Sequence, residues 1–305
     1  MAPNTSRNNR VPGTVAIIIN PISGRGPSLP RIDAITDHLE AAGYPVRRLT
    51  TEHPGHATQL ATSLDDATAA ALVCGGDGTV REVAAGLAGR PVPLYHVPAG
   101  NENLFANVFH MRPDPHLILS TLQQGTSTPI DLVTINGHLL CVACFGVGFD
   151  ADVVRRVAAA RTGPISNLDY LRPIWRTFCS HTFPVLHLEA DGQTVFTGRG
   201  LILAGNLPRY ATGLPVFPHA QPDDGLLDLS IWPCSGRLGL LKHALALGCR
   251  LAKLTGGIRL RAREVRISCD QPASSQIDGD VGPDLPLHAL VRPAALRVLD
   301  PRSLR

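Results

Sequence analysis

Cys74-Gly75-Gly76-Asp77-Gly78-Thr79-Val80-Arg81-Glu82-Val83 sets three glycines and one carboxylate where the apolar run 70–74 gives way to a helical pattern. Glycines lack Cβ atoms, so such a turn can adopt backbone conformations closed to other residues and bring its N–H groups close to an anion. A helix opening near Thr79 adds its positive end, and the stretch predicts a phosphate site built on Gly75, Gly76, Gly78 and Thr79. Asp77 does not suit direct contact with phosphate, because two negative groups repel unless a cation or water lies between them. It reads instead as an organiser of Mg²⁺ or of the reacting groups. The same letters also describe a plain strand-to-helix turn capped by Asp or Thr.

Outward from this turn, residues 14–124 alternate short apolar runs with helical patterns. Strands are predicted over 14–20, 45–50, 70–74 and 92–97, and helices over 28–42, 55–64 and 79–88. That alternation implies a parallel sheet with helices packed on it, whose ligands sit at the carboxyl ends of the strands. Polar turns follow three of those ends, at 20–24, 75–79 and 98–103, and are expected to converge on one crevice. From about residue 130 the rhythm changes to strand pairs: 130–135 and 139–145 flank Asn136-Gly137, a strong hairpin signal, and further strands are predicted over 185–189, 195–204, 226–232, 264–268 and 287–291. Helical inserts are expected near 150–160, 167–180 and 236–254, and a last strand over 296–299 has either domain open to it. The fold class is therefore α/β: a parallel-sheet domain over 13–129 that carries the candidate phosphate site, which 294–305 can rejoin, and a mainly antiparallel β domain over 130–293.

Composition bounds the function. Hydrophobic residues make up 44% and charged residues 17% of the 305, as in a soluble globular protein, and no apolar run approaches the ~20 residues a membrane-spanning helix needs. Residues 1–12 are expected to be a disordered leader, polar and without the apolar segment of a secretory signal. Seven scattered cysteines point to reduced thiols in a cytoplasm. Between Arg237 and Arg266 eight Lys or Arg face one acid, Glu264, so this segment holds more than the whole net charge of +3. It lacks interleaved aromatics, which disfavours nucleic acid and favours an anionic membrane surface. Its leucines at 238, 240, 241, 245, 247, 251 and 254, with Lys242, Arg250 and Lys253, suit either a membrane-lying helix or one packed on its own sheet.

Asn20-Pro21-x-Ser23-Gly24, Gly55-His56-Ala57, the glycine-rich turn continued through Glu82-Val83, Gly146-x-Gly148-Phe149-Asp150-Ala151, Gly205-Asn206, Asp223-Asp224-Gly225-Leu226-Leu227-Asp228 and Ile277-Asp278-Gly279-Asp280 occur in one order along the chain. In that order they resemble the diacylglycerol kinase catalytic family, which includes bacterial soluble lipid kinases, sphingosine kinases and ceramide kinases. The resemblance implies an enzyme of lipid metabolism and phospholipid biosynthesis. It would transfer the γ-phosphoryl group of ATP to the hydroxyl of a diacylglycerol-like or sphingoid lipid, in the cytoplasm and at the membrane periphery, and a homodimer is compatible with it. The first domain would then be the nucleotide-binding one and the second would bind lipid, with the active site in the cleft between them: Asn20, Pro21, Ser23, Gly24, Thr51, Glu82, Gly100, Asn101 and Asn103 would hold the nucleotide, with Gly75, Gly76, Asp77, Gly78 and Thr79 on its phosphates. Asp131 would join a water-bridged Mg²⁺ network, and Asp224 with backbone oxygens of Leu226 and Gln221 would bind a second, structural Mg²⁺; a simple β-turn is the other reading of that segment.

A lipid hydroxyl must lose its proton as it attacks, and the base is expected in Asp278 or Asp280. In an extended strand these two would share one face and point into the cleft, while an Asp-Gly hairpin turn is the competing reading. Where the family carries Pro-x-Gly-Thr-x-Asn-Asp, this chain reads Pro98-Ala99-Gly100-Asn101-Glu102-Asn103-Leu104. That departure motivates a catalytically silent nucleotide-binding regulator as an alternative. The shared Gly-Gly-Asp-Gly-Thr turn motivates an NAD kinase-like enzyme as another.

Overall fold

The computed structural model describes residues 13–24, 28–160, 170–210, 214, 216–248 and 257–304; the expected leader and residues 249–256 of the basic stretch lie outside them. Four parallel strands open the chain: β1 (Val15–Ile19), β2 (Val46–Thr50), β3 (Ala70–Gly75) and β4 (Leu94–Pro98), in the spatial order β2-β1-β3-β4. β1 and β3 are buried along their whole length, which is why they read as unbroken apolar runs instead of alternating ones. Helices α1 (Leu29–Ala41), α2 (His56–Thr62) and α3 (Asp77–Leu87) connect them. α1 turns Ile32, Ile35 and Leu39 to the core and α3 turns Val80, Val83, Ala84 and Leu87, the spacing of a helix face. Short α4 (Leu104–Val108) and α5 (Pro115–Gln124) follow, the latter capped by the Asp114 carboxylate on the amides of His116 and Leu117.

The rest of the chain is mainly antiparallel. β5 (Thr128–Ile135) and β6 (Leu139–Cys141) form the expected hairpin, with Asn136 and Gly137 at φ 51° and 78°. The single strand predicted over 139–145 is in fact two: β6 ends at Cys141, and β7 (Cys144–Val147) pairs with different neighbours, β9 (Gln193–Gly205) and β13 (Ser275–Ile277). β8 (Val185–Ala190), β10 (Leu227–Pro233), β11 (Ile258–Ala262), β12 (Glu264–Cys269) and the two-residue β14 (Asp280–Val281) complete this half with the long β15 (Leu287–Val298). β15 pairs with β5, and at Val298 it lies parallel to Leu94 of β4, so one sheet runs through both halves. Three helices accompany it: α6 (Phe149–Ala160), which packs on β7, β13 and β14, α7 (Leu171–Ser180), which packs on α6, and α8 (Arg237–Gly248). No helix among the described residues is long and apolar enough to cross a membrane.

Candidate active site

The three polar turns do converge. A cleft of ≈ 510 Å³ is lined by Asn20, Pro21, Ser23, Gly24, Thr51, Gly76, Gly78, Thr79, Glu82, Gly100 and Asn101 from the first half of the chain, and by Val154, Val157, Tyr170, Gly279 and Asp280 from the second. The approach of the turns is close enough to require glycine: a Cβ on Gly24 would stand 2.3 Å from the Ala99 carbonyl oxygen, and one on Gly100 2.6 Å from Gly76 Cα. Asn20 Nδ2 donates to Thr79 Oγ1 at 2.9 Å, tying the first turn to the start of α3. Below them His96 is fully buried on β4 and its Nε2–H donates to the Gly75 carbonyl at 2.9 Å; burial pushes its pKa down and keeps the ring neutral. Gly75 itself packs against Thr79 and does not line the cleft.

The acidic residues are arranged differently from the expectation of four carboxylates facing one another. Asp77 accepts the amides of Leu104 (2.9 Å) and Phe105 (3.0 Å), so it caps α4 from the first turn of α3. The aspartate-to-leucine departure at 104 therefore leaves the backbone contact at that position in use. Asp131, 2% exposed, does not line the cleft; its two oxygens accept the amides of Gly225 (2.6 Å) and Ala294 (2.8 Å) and hold the 222–225 turn against β15. Glu82 lines the cleft, but both its oxygens cap α2 through the amides of Gly55 and Ala57. Asn103 grips the backbone of Gly100 at both ends of its carboxamide and stays out of the cleft.

Asp278 and Asp280 do not share a strand face. Asp278 (φ 50°) and Gly279 (φ 84°) are the two turn residues of the β13–β14 hairpin, because Ile277 pairs with Asp280 across them. The left-handed backbone swings the Asp278 carboxylate away, onto the amides of Val142 (2.9 Å), Ala143 (2.8 Å) and Cys144 (3.0 Å). Those are the residues at the break between β6 and β7, so this carboxylate is the reason the predicted strand divides. Burial pushes its pKa up, against the opposing pull of Arg81 and the three amides. Asp280 turns the other way, into the cleft, where its Oδ2 meets Arg81 Nη2 at 2.6 Å. Arg81 also donates to the Ile277 carbonyl at 2.9 Å, joining α3 to the hairpin.

In the turn expected to hold a structural Mg²⁺, the Asp224 carboxylate already has partners. Asp224 Oδ1 accepts the Leu226 amide at 3.0 Å, and its Oδ2 faces Arg261 Nη1 at 3.5 Å. The same guanidinium lies 3.4 Å from Asp228 and donates to the His219 carbonyl at 2.8 Å, so a side-chain cation already neutralises the turn that Gln221, Asp224 and Leu226 belong to. Among the described residues no group of three or more His, Cys, Asp or Glu could hold a metal ion.

Sequence reasoning missed Arg81 and the α6 wall of the cleft. Arg81 stands inside the decisive stretch, yet only the hairpin arriving from nearly 200 residues later gives it a partner. His96 sits in an apolar strand where packing was the natural reading, and packing on the glycine turn is what it does.

The diacylglycerol kinase catalytic domain matches residues 14–135, and the YegS C-terminal NAD kinase beta sandwich-like domain matches residues 143–300. A diacylglycerol kinase of Mycobacterium tuberculosis is 29% identical over 95% of this chain and 96% of its own. The Pseudomonas fluorescens protein named probable lipid kinase YegS-like is 30% identical over 88% and 89%. In fold, a diacylglycerol kinase from Bacillus anthracis superposes with a TM-score of 0.69 at 19% identity, covering 94% of this chain and 96% of that one; another structure from the same organism reaches 0.78 at 22%, covering 97% and 98%. With matched domains spanning nearly the whole length and relatives aligned end to end, the chain belongs to the diacylglycerol kinase catalytic family of lipid kinases.

Proposed function

We propose that the cleft transfers the γ-phosphoryl group of ATP to the hydroxyl of a diacylglycerol-like or sphingoid lipid. The observation that carries this reading is the position of Asp280. A Cβ on Gly78 would lie 3.6 Å from its Oδ2, so a carboxylate from the second half of the chain abuts the glycine turn at the positive end of α3. Phosphoryl transfer asks mainly for positioning and for positive potential matched to the transferred group. Gly76, Gly78 and Thr79 supply phosphate contacts at the helix start, and Asn20, Pro21, Ser23, Gly24, Thr51, Gly100 and Asn101 surround the nucleotide, which arrives with its Mg²⁺ as MgATP. Asp280 takes the proton from the lipid hydroxyl as its oxygen bonds to the γ-phosphorus, the bond to the bridging oxygen breaks, and ADP leaves. Arg81 holds the Asp280 carboxylate through their ion pair and adds a cation beside the transferred group. Asp278 is a positioning residue, holding the hairpin that delivers Asp280. The reading places the enzyme in the cytoplasm, working on lipid at a membrane surface.

Purified protein incubated with labelled ATP and Mg²⁺ is expected to phosphorylate diacylglycerol or sphingosine, and Asp280→Asn to slow turnover by about 10²–10⁴-fold while nucleotide affinity holds. ATP binding with no product from any lipid would sink the reading in favour of a silent regulator, and labelled NADP⁺ from NAD⁺ would move it to the NAD kinase-like alternative.

A further inference from the structure

On α7 the amphipathic pattern points outward, and α8, with apolar residues on all sides, leaves leucines exposed beside it. α7 buries Pro173 and Thr177, while Leu171, Ile174 and Trp175 stand 62%, 40% and 66% exposed. α8 buries Leu240 and His243 and leaves Leu238, Leu241 and Leu245 at 85%, 45% and 60%. Six of the twelve large exposed apolar side chains among the described residues thus sit on two short helices. The helices adjoin: Arg237 at the start of α8 donates to the carbonyls of Phe178 and Cys179 at the end of α7. Apolar stripes of this kind mark surfaces that meet a partner.

Charge says which partner. The two helices carry Arg172, Arg176, Arg237 and Lys242 and not one acid. Between the end of α7 and the start of α8 opens a depression of ≈ 990 Å³ that adds Arg199. Buried His181 and His243 line it, and each leaves one ring nitrogen, Nε2 and Nδ1 respectively, without a hydrogen-bond partner. A second copy of the chain could cover the leucines, but it would bring the same cations face to face with no acid between them. An anionic bilayer satisfies both halves of the pattern: leucine and tryptophan enter the interface and the cations meet headgroup phosphates.

We infer that the outer face of α7 and α8 docks on an anionic membrane surface. This rests on the lipid-kinase reading only for the source of the acceptor, which such docking would bring to the cleft.

The full chain is mixed with vesicles of phosphatidylcholine, with or without phosphatidylglycerol, and followed by flotation and by tryptophan fluorescence. Trp175 is the reporter, since the other tryptophan, Trp232, is buried. Binding to the anionic vesicles with a blue shift is expected, weakening with salt and by about fivefold for each of Arg172→Gln, Arg176→Gln and Lys242→Gln. Trp175→Ala combined with Leu238→Ser is expected to lose tenfold or more, with a nearly unchanged melting temperature because both side chains are mostly exposed. Equal binding to both vesicles, variants that bind like the parent, or a lipid-free dimer that shields Trp175 would each overturn the inference. Turnover of a short-chain, monomeric diacylglycerol separates the two readings: the docking variants should keep the parent rate, and vesicle binding by a protein that turns over no lipid would fail the kinase reading alone.

Discussion

Asp278→Asn tests whether this carboxylate holds structure or does chemistry. In the parent, four donors converge on it: the amides of Val142, Ala143 and Cys144 and, at 3.4 Å, the Cys141 thiol. Hydrogen bonds to a charged acceptor are worth about 1.5–3 kcal/mol each, and an unmatched buried donor costs about 1–3 kcal/mol. Asparagine keeps one acceptor oxygen, which can still serve Ala143 and Cys144, but it turns an NH₂ group toward the Val142 amide. One charge-assisted bond is lost and two donors are set against each other, about 2.5–6 kcal/mol together, and removing a charge that burial disfavours offsets part of this, for a net cost of about 2–4 kcal/mol. At roughly 2–4 °C per kcal/mol for a chain of this size, the melting temperature should fall by about 4–16 °C. Circular dichroism melts of parent and variant measure it, with lipid phosphorylation assayed on the same samples at a temperature where both are folded. The expected result is a clear loss of stability with turnover reduced far less than in Asp280→Asn. A melting temperature within a degree of the parent, with turnover abolished, would refute the reasoning and return Asp278 to the reacting groups.

Gly100→Ala places a Cβ 2.6 Å from Gly76 Cα, backbone against backbone, and should cost about 1–3 kcal/mol and weaken ATP binding in calorimetry by pushing two nucleotide turns apart. Burial pushes the Asp150 carboxyl up to about 6, above its value in the unfolded chain, so the folded state holds the extra proton and this group's contribution falls as pH rises from about 4 to about 6. Asp150→Asn should therefore gain stability relative to the parent across that window, by on the order of 2 kcal/mol at neutral pH, and a difference that does not change with pH would contradict it. Arg261→Gln leaves Asp224 and Asp228 without their shared cation and should lower the melting temperature by a few degrees, whereas EDTA should not shift the nucleotide-free parent; a chelator-sensitive parent melt would show that a metal holds the turn.

Much of the site was legible in short stretches because its determinants are local. Three apolar runs ending in glycine-rich or Asn/Pro turns are enough to gather those turns at the ends of parallel strands, and the glycines at 24, 76 and 100 stand where they touch. Asn136-Gly137 encoded its hairpin for the same reason, since only a few residue types tolerate two left-handed positions in a row. The directions of the carboxylates were not legible. Asp-Gly at 278–279 is equally well formed as a strand or a turn, and the choice depends on three amides more than 130 residues away that need an acceptor.

The sequence by itself therefore determined the fold class, the family and the glycine-rich wall of the cleft, because periodicity, turn chemistry and ordered motifs act over a few residues. The tertiary structure alone decided which acids reach the cleft. A buried backbone N–H must find an acceptor, and Asp77, Glu82, Asp131 and Asp278 are claimed by the amides that tertiary packing brings to them, while Asp280 beside Arg81 faces the glycine-rich turn.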